Sequence, residues 1–368
     1  MSRHGPTLPA RGQAGRVRRG SGDLRWHVPD ERTYVLYTPV LRSSHLERLA
    51  PVPGFRLLAT DRHPDCDDAL LAAAPFPVRL GTLDEVEADL AADPPDVLEV
   101  TEPLWTAQWP ASLRLADAAP TARLVTYAIE VLEPARPPDP GRLAAVAFGS
   151  EAARRAYAAG YPHARWASTV VEERRGRCPL CFPGEAASAP AAREVVFAAE
   201  FSERKAVDLL MAAWDEAAGD EAAGDEAAGD AWRLRLLGWG PRTGQVVAWA
   251  EGRPDVDVVV RADRGQVHDA LRRAAVVVLP SRRVDGWQEQ IGLSLVEGLA
   301  HGCHLLTTGE TGLADGLRAA GHTVVTAGDG AALTAGLRAA TAAAPRHKAL
   351  PAPDDDSRRR VQRWLSGA

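Results

Sequence analysis

Two glutamates eight residues apart flank a glycine in Glu289-Gln-Ile-Gly292-Leu-Ser-Leu-Val-Glu297. The segment follows an apolar run, Ala275–Leu279, and a Pro-Ser turn. A strand, a loop and then a helix start place free backbone N–H groups and the positive end of a helix dipole beside the carboxylates. Such a helix start suits a pyrophosphate, and Gly292 lets the backbone approach with no side chain in the way. Glu297, about one turn into the helix, can reach ribose hydroxyls through charge-assisted hydrogen bonds; Glu289, still in the loop, can face a cleft. Arg204-Lys205 supplies the opposite charge, at the start of a second helical stretch. Only two of the 43 Lys and Arg residues are lysines, Lys205 and Lys348. In a chain that uses Arg wherever either cation will do, Lys205 stands out as a specific choice.

Other candidate motifs carry less chemistry. Cys178-Pro-Leu-Cys181 is a lone Cys-x-x-Cys, with Cys66 and Cys303 distant singles. A structural zinc site needs four ligands, usually including a second such pair, so the dithiol reads as incidental and no metal is expected. Asp255-Val-Asp257 runs into Val258-Val-Val260 and reads as the start of a strand. No Gly-x-Ser-x-Gly and no phosphate-binding Gly-x4-Gly-Lys loop is present, which argues against an α/β-hydrolase or a P-loop ATPase. Trp287, beside the glutamate pair, is the tryptophan placed near a ligand.

These residues need a scaffold, and the chain can supply one. Its 368 residues have room for two cores. A formal net charge of −6 argues against bulk attraction to nucleic acid. No stretch is long and apolar enough for a transmembrane helix and the N-terminus lacks a secretory core, so a cytoplasmic protein is expected. Peripheral membrane contact stays open, because the first 30 residues carry several arginines. Apolar runs at Tyr34–Thr38, Phe55–Leu58, Val97–Val100, Leu124–Ala128 and Ala144–Phe148 read as strands separated by helices. After a Pro/Ala/Gly linker at 182–193 the alternation restarts at Val195–Ala199 and continues to a helix over Ala331–Ala340. The reading is an α/β chain with two parallel-sheet units and a cleft between them. It has a disordered tail (1–30), an N-terminal Rossmann-like domain (31–185), a C-terminal Rossmann-like domain (186–345) and a polar C-terminal segment or helix (346–368). Three copies of Asp-Glu-Ala-Ala-Gly at 215–229 read as a low-complexity surface insertion, 215–230.

The stretch from Pro280-Ser281 through Glu289 and Glu297 to Gly302 resembles the Glu-x7-Glu signature of retaining glycosyltransferases with the GT-B fold, particularly family 4. Val196–Leu210, with Arg204-Lys205, resembles that family's strand, phosphate clamp and helix, and Gly238-Trp-Gly240-Pro241 its Gly-x-Gly-Pro turn. The order of features is consistent over roughly 190–345. The resemblance implies a GT-B fold, two Rossmann-like domains with parallel sheets facing across a cleft. It implies that Arg204 and Lys205 hold the donor diphosphate, that Glu297 binds the ribose and that Glu289 contacts the donor sugar. Gly292 and Leu293 would offer backbone N–H groups to phosphate, with Ile291 and Gly238 in the same donor-binding set. The implied activity is hexosyl-type transfer from a nucleotide-diphospho-sugar to an acceptor, a soluble small molecule, with retention. The donor is a co-substrate, and no cofactor or metal is called for.

Three features depart from the family pattern, the first being Ala198-Ala199-Glu200 where the family often has an Arg just after the glycine of the first strand of the C-terminal domain. Arg42-Ser-Ser-His45 stands where the family has a Gly-Gly loop. Leu124–Glu130 stands where it has a histidine, which leaves Glu130 as the residue to face the cleft. Two alternatives therefore remain: another GT-B enzyme such as a nucleotide-sugar epimerase, or a catalytically impaired nucleotide-sugar-binding protein. A phosphorylase would need a pyridoxal-binding lysine, and Lys348 reads as part of a polar tail.

Overall fold

The computed structural model describes residues 32–42, 46, 54–63, 66, 68–101, 108–128, 141–174, 176–184, 187–221, 231–284, 288–352 and 357–367. The expected N-terminal tail, Glu130, Trp287 and most of the second and third pentapeptide copies lie outside these residues.

The first unit contains strands β1 (Tyr34–Leu41), β2 (Phe55–Arg62), β3 (Val78–Leu80), β4 (Val97–Val100), β5 (Arg123–Ala128), β6 (Ala145–Phe148) and β7 (Ala167–Val170). They form one sheet, ordered β3-β2-β1-β4-β5-β6-β7, with every pairing parallel. Helices α1 (Asp68–Ala72), α2 (Leu83–Ala92), α3 (Trp109–Ala118) and α4 (Glu151–Gly160) connect them. Ser150 caps α4, its hydroxyl accepting from the Ala153 N–H at 3.0 Å. Apolar side chains fill both faces of the sheet, as parallel strands flanked by crossover helices require.

The second unit begins at β8 (Ser188–Pro190), followed by β9 (Glu194–Ala198), α5 (Val207–Glu221), β10 (Arg233–Gly238), α6 (Thr243–Ala250), β11 (Val256–Val260), α7 (Arg264–Arg273), β12 (Val276–Leu279), α8 (Leu293–Ala300), β13 (His304–Thr308), α9 (Ala314–Ala319), β14 (Thr323–Val325) and α10 (Gly330–Ala343). Its main sheet is ordered β11-β10-β9-β12-β13-β14, again parallel throughout. In both sheets the strand order reverses direction beside the first strand, and ligands of such sheets sit at the carboxyl ends of the strands flanking that point. The carboxyl ends of the two sheets face each other. Gly312, beyond β13, approaches Ser150, beyond β6, so closely that a Cβ there would lie 3.1 Å from the Ser150 Oγ.

The chain then runs through β15 (His347–Ala349) into α11 (Ser357–Gly367). This helix returns to the first unit: Val361 and Leu365 are fully buried in its core. Arg358 reaches the fully buried Glu99 of β4 at 3.0 and 3.2 Å, and the Tyr34 hydroxyl donates to the same carboxylate at 2.6 Å.

The structure corrects three sequence expectations. The segment 182–193 is not a bare linker, because β8 within it pairs antiparallel with β15. Lys348, expected in a polar tail, is fully buried. Its ammonium donates to the carbonyls of Leu271 (3.1 Å) and Arg272 (2.8 Å), the last turn of α7. A cation at a helix C-terminus meets orphan carbonyls and the negative dipole end, which offsets its desolvation. Burial nonetheless pulls the Lys348 pKa down. Finally, the first pentapeptide copy, read as a solvated and partly helical loop, is wholly helical and forms the last turns of α5, with Asp215 and Glu216 exposed. Glu216 accepts from Thr334 of α10 at 3.0 Å, and Asp215 accepts from Trp249 of α6 at 3.1 Å. No helix among the described residues is long and apolar enough to cross a membrane.

The contacts of the first copy define what the repeats can lose. Deletion of Asp220–Gly229 keeps Asp215 and Glu216 and shortens a connection, an entropic change well under about 1 kcal/mol. The melting temperature of the deletion variant should therefore stay within about 3 °C of the parent by calorimetry. A fall of ten degrees or more would mean that the second and third copies are part of the packed structure.

Candidate active site

The site is assembled from the connections that leave β9 and β12, which are adjacent and parallel. The first connection is pinned by Phe201, fully buried and stacked on Phe197 with ring centroids 6.2 Å apart. Its amide donates to the Trp239 carbonyl at 3.0 Å, and its carbonyl accepts from the Arg242 amide at 2.9 Å. This seats it against the Gly238–Gly240 turn. Gly238 is required there sterically, since a Cβ would lie 1.9 Å from the Ala199 carbonyl oxygen. A tight turn over Glu203–Ala206 follows, with Ala206 at φ 52°. A non-glycine residue in the left-handed region is strained, and the strain here directly follows Lys205. Helix α5 begins only at Val207, so Arg204 and Lys205 stand in the turn before the helix, not within it.

The turn aims Lys205 across to the loop after β12. Its ammonium pairs with the Glu289 carboxylate, and the Ser281 hydroxyl donates to the same oxygen, Oε2, at 2.7 Å. Both partners are nearly enclosed, with side chains 13% and 7% exposed. Burial pulls the Lys205 pKa down while Glu289 pulls the other way. Arg204 turns instead to Glu200, donating to one carboxylate oxygen from Nε (2.9 Å) and from a terminal nitrogen (2.6 Å). The Arg204 carbonyl accepts from the Arg282 amide at 3.0 Å and ties the two connections together.

Beyond Glu289 the chain enters α8 through Gly292, at φ 73°. A Cβ there would also lie 2.7 Å from Leu279 Cδ2, so glycine serves both the turn and the packing. Ile291 is buried, and its carbonyl accepts from the Thr311 hydroxyl at 3.0 Å; Leu293 is 40% exposed. Glu297, 4% exposed, accepts at 2.9 Å from Arg264, the first residue of α7. The structure thus brings together Lys205, Glu289, Ile291, Gly292 and Leu293, with Arg204 and Gly238 behind the Lys205 turn and Glu297 further along α8. Sequence reasoning missed Glu200, Ser281 and Arg264. Ser281 lies inside the quoted motif. Arg264 offered one signal, a cation at a capped helix start where an acid is favoured.

The Asp255-x-Asp257 pair lies at the amino end of β11, away from the strand ends that form the site. Asp255 accepts from Trp214 at 2.7 Å and Asp257 pairs with Arg235 at 3.1 Å. A cavity of about 530 Å³ also lies between the units, lined by Ser150, Glu172, Gly312, Asp315 and His322 among others. None of the candidate residues among those described lines it, so it is separate from the site built on Lys205 and Glu289.

The dithiol expectation needs correction. Cys178 and Cys181 are not alone: His268 of α7 and His301, which ends α8, close a group of four whose ligand atoms all lie within 4.8 Å of one another. The packing of α7 beside α8 supplies two imidazoles that no linear spacing reveals.

The comparisons with known proteins agree with this architecture. Residues 192–342 match a family model described as "Glycosyl transferases group 1". No curated protein matches the chain. HepE of Anabaena, solved with UDP and glucose, aligns with TM-score 0.58 at 13% identity, covering 91% of this chain and 100% of its own. AviGT4, a glycosyltransferase of avilamycin A biosynthesis, aligns with TM-score 0.60 at 18% identity, covering 91% and 99%. An α,α-trehalose-phosphate synthase of Burkholderia xenovorans, solved with glucose-6-phosphate, gives 0.61 at 12%, covering 91% and 100%.

The Lys205–Glu289 pair makes a thermodynamic prediction. Lys205→Met and Glu289→Gln each leave a polar group largely buried without its counter-charge, at about 3–5 kcal/mol. The double variant removes both charges, so denaturant titration should show a coupling energy of at least about 1 kcal/mol. Additive losses would mean that the two charges do not interact in solution. The chain has the GT-B fold, and its second unit matches the group 1 glycosyl transferases.

Proposed function

We propose that the protein transfers a sugar from a nucleotide-diphospho-sugar to an acceptor hydroxyl. The observation that carries this reading is the meeting of Lys205 and Glu289 at the carboxyl ends of β9 and β12, ahead of a helix that starts at a glycine with positive φ. That is where a parallel sheet of this order takes a nucleotide, and the match over 192–342 supports the same class of activity.

In the reaction the bond from the anomeric carbon to the diphosphate breaks, and its electron pair leaves with the diphosphate. The acceptor oxygen forms the new bond, and its proton passes to an oxygen of the leaving diphosphate. Charge gathers on the leaving group, and fixed cations with a helix N-terminus lower the barrier most when they are already in place. Lys205, Arg204 and the first N–H groups of α8 are the groups suited to this. An incoming diphosphate would replace the carboxylates of Glu289 and Glu200 as the partner of the two cations. Glu289, so released, would accept hydrogen bonds from sugar hydroxyls, while Glu297 would take the ribose and Ile291, Gly238 and Leu293 would shape the donor pocket. No divalent ion is assigned to the donor, because the Asp255-x-Asp257 pair is engaged at the far end of its strand. Retention and a small-molecule acceptor belong to the same proposal and rest on the likeness of the Glu-x7-Glu segment.

Loss of one charged partner of a diphosphate costs about 1.5–3 kcal/mol, so calorimetry should show nucleotide affinity falling roughly tenfold or more in Lys205→Ala. Glu297→Ala should fall in parallel. Unchanged affinity in both, with each variant still folding cooperatively, would overturn the site.

A panel of nucleotide-diphospho-sugars separates the activities. Transfer releases the nucleoside diphosphate in step with a glycosylated acceptor, an epimerase rearranges the donor without acceptor, and a binder does neither. With EDTA holding free divalent ions, excess Mg²⁺ or Mn²⁺ should change turnover by less than about twofold. A strict requirement for either ion would mean that the diphosphate is held through metal.

A further inference from the structure

The linker between the two units passes against the end of α8. The Cys178 amide donates to the Ala300 carbonyl at 3.1 Å, and the Phe182 amide closes a turn onto the Cys178 carbonyl at 3.0 Å. This turn presents both thiols to α7. The His268 Nδ1 lies 3.5 Å from Cys178 Sγ and 3.6 Å from Cys181 Sγ. Two ligands of a tetrahedral zinc ion, one sulfur at about 2.3 Å and one nitrogen at about 2.0–2.1 Å, are themselves about 3.6 Å apart. The sulfur–nitrogen spacing is therefore already that of a shared metal ion.

The fourth member carries an independent observation. His301 is 1% exposed, and its Nδ1–H donates to the Glu297 carbonyl at 2.7 Å. That bond fixes the tautomer and leaves a lone pair on Nε2, which is buried and has no hydrogen-bond partner. A buried imidazole nitrogen without a partner costs free energy unless something occupies its lone pair. The ligand atoms of Cys178, Cys181, His268 and His301 all lie within 4.8 Å of one another. A backbone carbonyl fixing the outer nitrogen of a histidine is also the usual arrangement behind a metal ligand.

We propose that Cys178, Cys181, His268 and His301 bind one zinc ion in a closed, four-coordinate structural site. Two thiolates and two neutral imidazoles form a borderline-soft tetrahedral donor set, and the thiolates cancel the charge of the ion, which makes burial tolerable. Four protein ligands leave no open position, so the ion has no part in the transfer chemistry. It clamps the interdomain linker to α7 and α8. The clamp touches the donor side twice: His301 holds the Glu297 carbonyl, and Arg264, which pairs with the Glu297 carboxylate, lies 3.4 Å from the outer nitrogen of His268. Phe182 stacks edge-on against His301 at 5.7 Å and covers that side of the group.

The test needs no substrate. Full-length protein purified under reducing conditions without added metal should carry one equivalent of zinc by elemental analysis. After chelation, Co²⁺ alone should give intense visible d–d bands and a thiolate-to-cobalt charge-transfer band, and added Zn²⁺ should bleach both. Zinc removal should lower the melting temperature by about 5 °C or more, with Zn²⁺ but not Mg²⁺ restoring it. Cys181→Ser and His268→Gln should each lose the metal or weaken its binding at least tenfold. If either variant fails to fold, the cobalt spectrum of the parent chain decides. A parent chain with no zinc above background, together with a weak octahedral Co²⁺ spectrum, would overturn the proposal, as would a Cys178–Cys181 disulfide in reduced preparations.

Discussion

A buried ammonium and a buried carboxylate, Lys205 and Glu289, hold the two connections of the site together, and much of the second unit can be understood as what it takes to keep them there. Neither charge is tolerable alone in so enclosed a place. Together they require that the loop after β9 and the loop after β12 leave the sheet side by side. In a parallel sheet joined by right-handed crossovers, that happens where the strand order reverses. The order β11-β10-β9-β12-β13-β14 satisfies the requirement. Ala206 in the left-handed region and Gly238 with no room for a Cβ are local consequences of bringing the first loop over far enough.

Much of this was legible because the relevant signals are local. Val256–Val260 and Val97–Val100 occupy the predicted residues, since a short valine-rich run bounded by turn residues has few other uses. Leu83–Ala92 reads from sequence as helix or loop, and the structure makes it a helix, with Thr82 and Glu85 forming a capping box around its start. The glutamate pair and the cations could be found from spacing because a loop and a helix start are defined by neighbours in sequence. The start of α5 was misplaced by three residues. The run from Arg204 is compatible with helix, and only the tertiary demand on Lys205 holds it out as a turn.

What was not legible depends on partners distant in the chain. Lys348 looked solvated because its surroundings in sequence are polar, yet it meets carbonyls 77 and 76 residues away. The strand β8 pairs with β15 across the whole second unit, and three residues of Ser-Ala-Pro give no periodicity to read. The first Asp-Glu-Ala-Ala-Gly copy has the composition of a loop, but alanine-rich acidic sequence is also good helix, and α10 supplies the hydroxyl that Glu216 needs. The cysteine pair lacked a second Cys-x-x-Cys because its remaining ligands come from the middle of one helix and the end of another.

Helix α8 shows most directly why function has to enter the explanation. Glu297 lies midway along its eight-residue helix, where the dipole does little for a carboxylate, and it is buried as well. Its partner Arg264 is the first residue of α7, where the dipole disfavours a cation. The cation stands at the unfavourable end of its helix and the carboxylate is buried within its own, and their mutual pairing offsets both costs. An alanine or leucine at both positions would serve the packing of α7 against α8 with no charge to desolvate. Folding stability alone gives no reason for this pair. The proposed function would supply one: burial and the arginine fix the orientation of the carboxylate before a hydroxyl-bearing ligand arrives. The packing of the same helix fits that requirement: Gly298 lies so close to Val277 and Leu305 that a Cβ would fall 3.0 and 2.8 Å from their methyl groups, which leaves α8 little room to rotate.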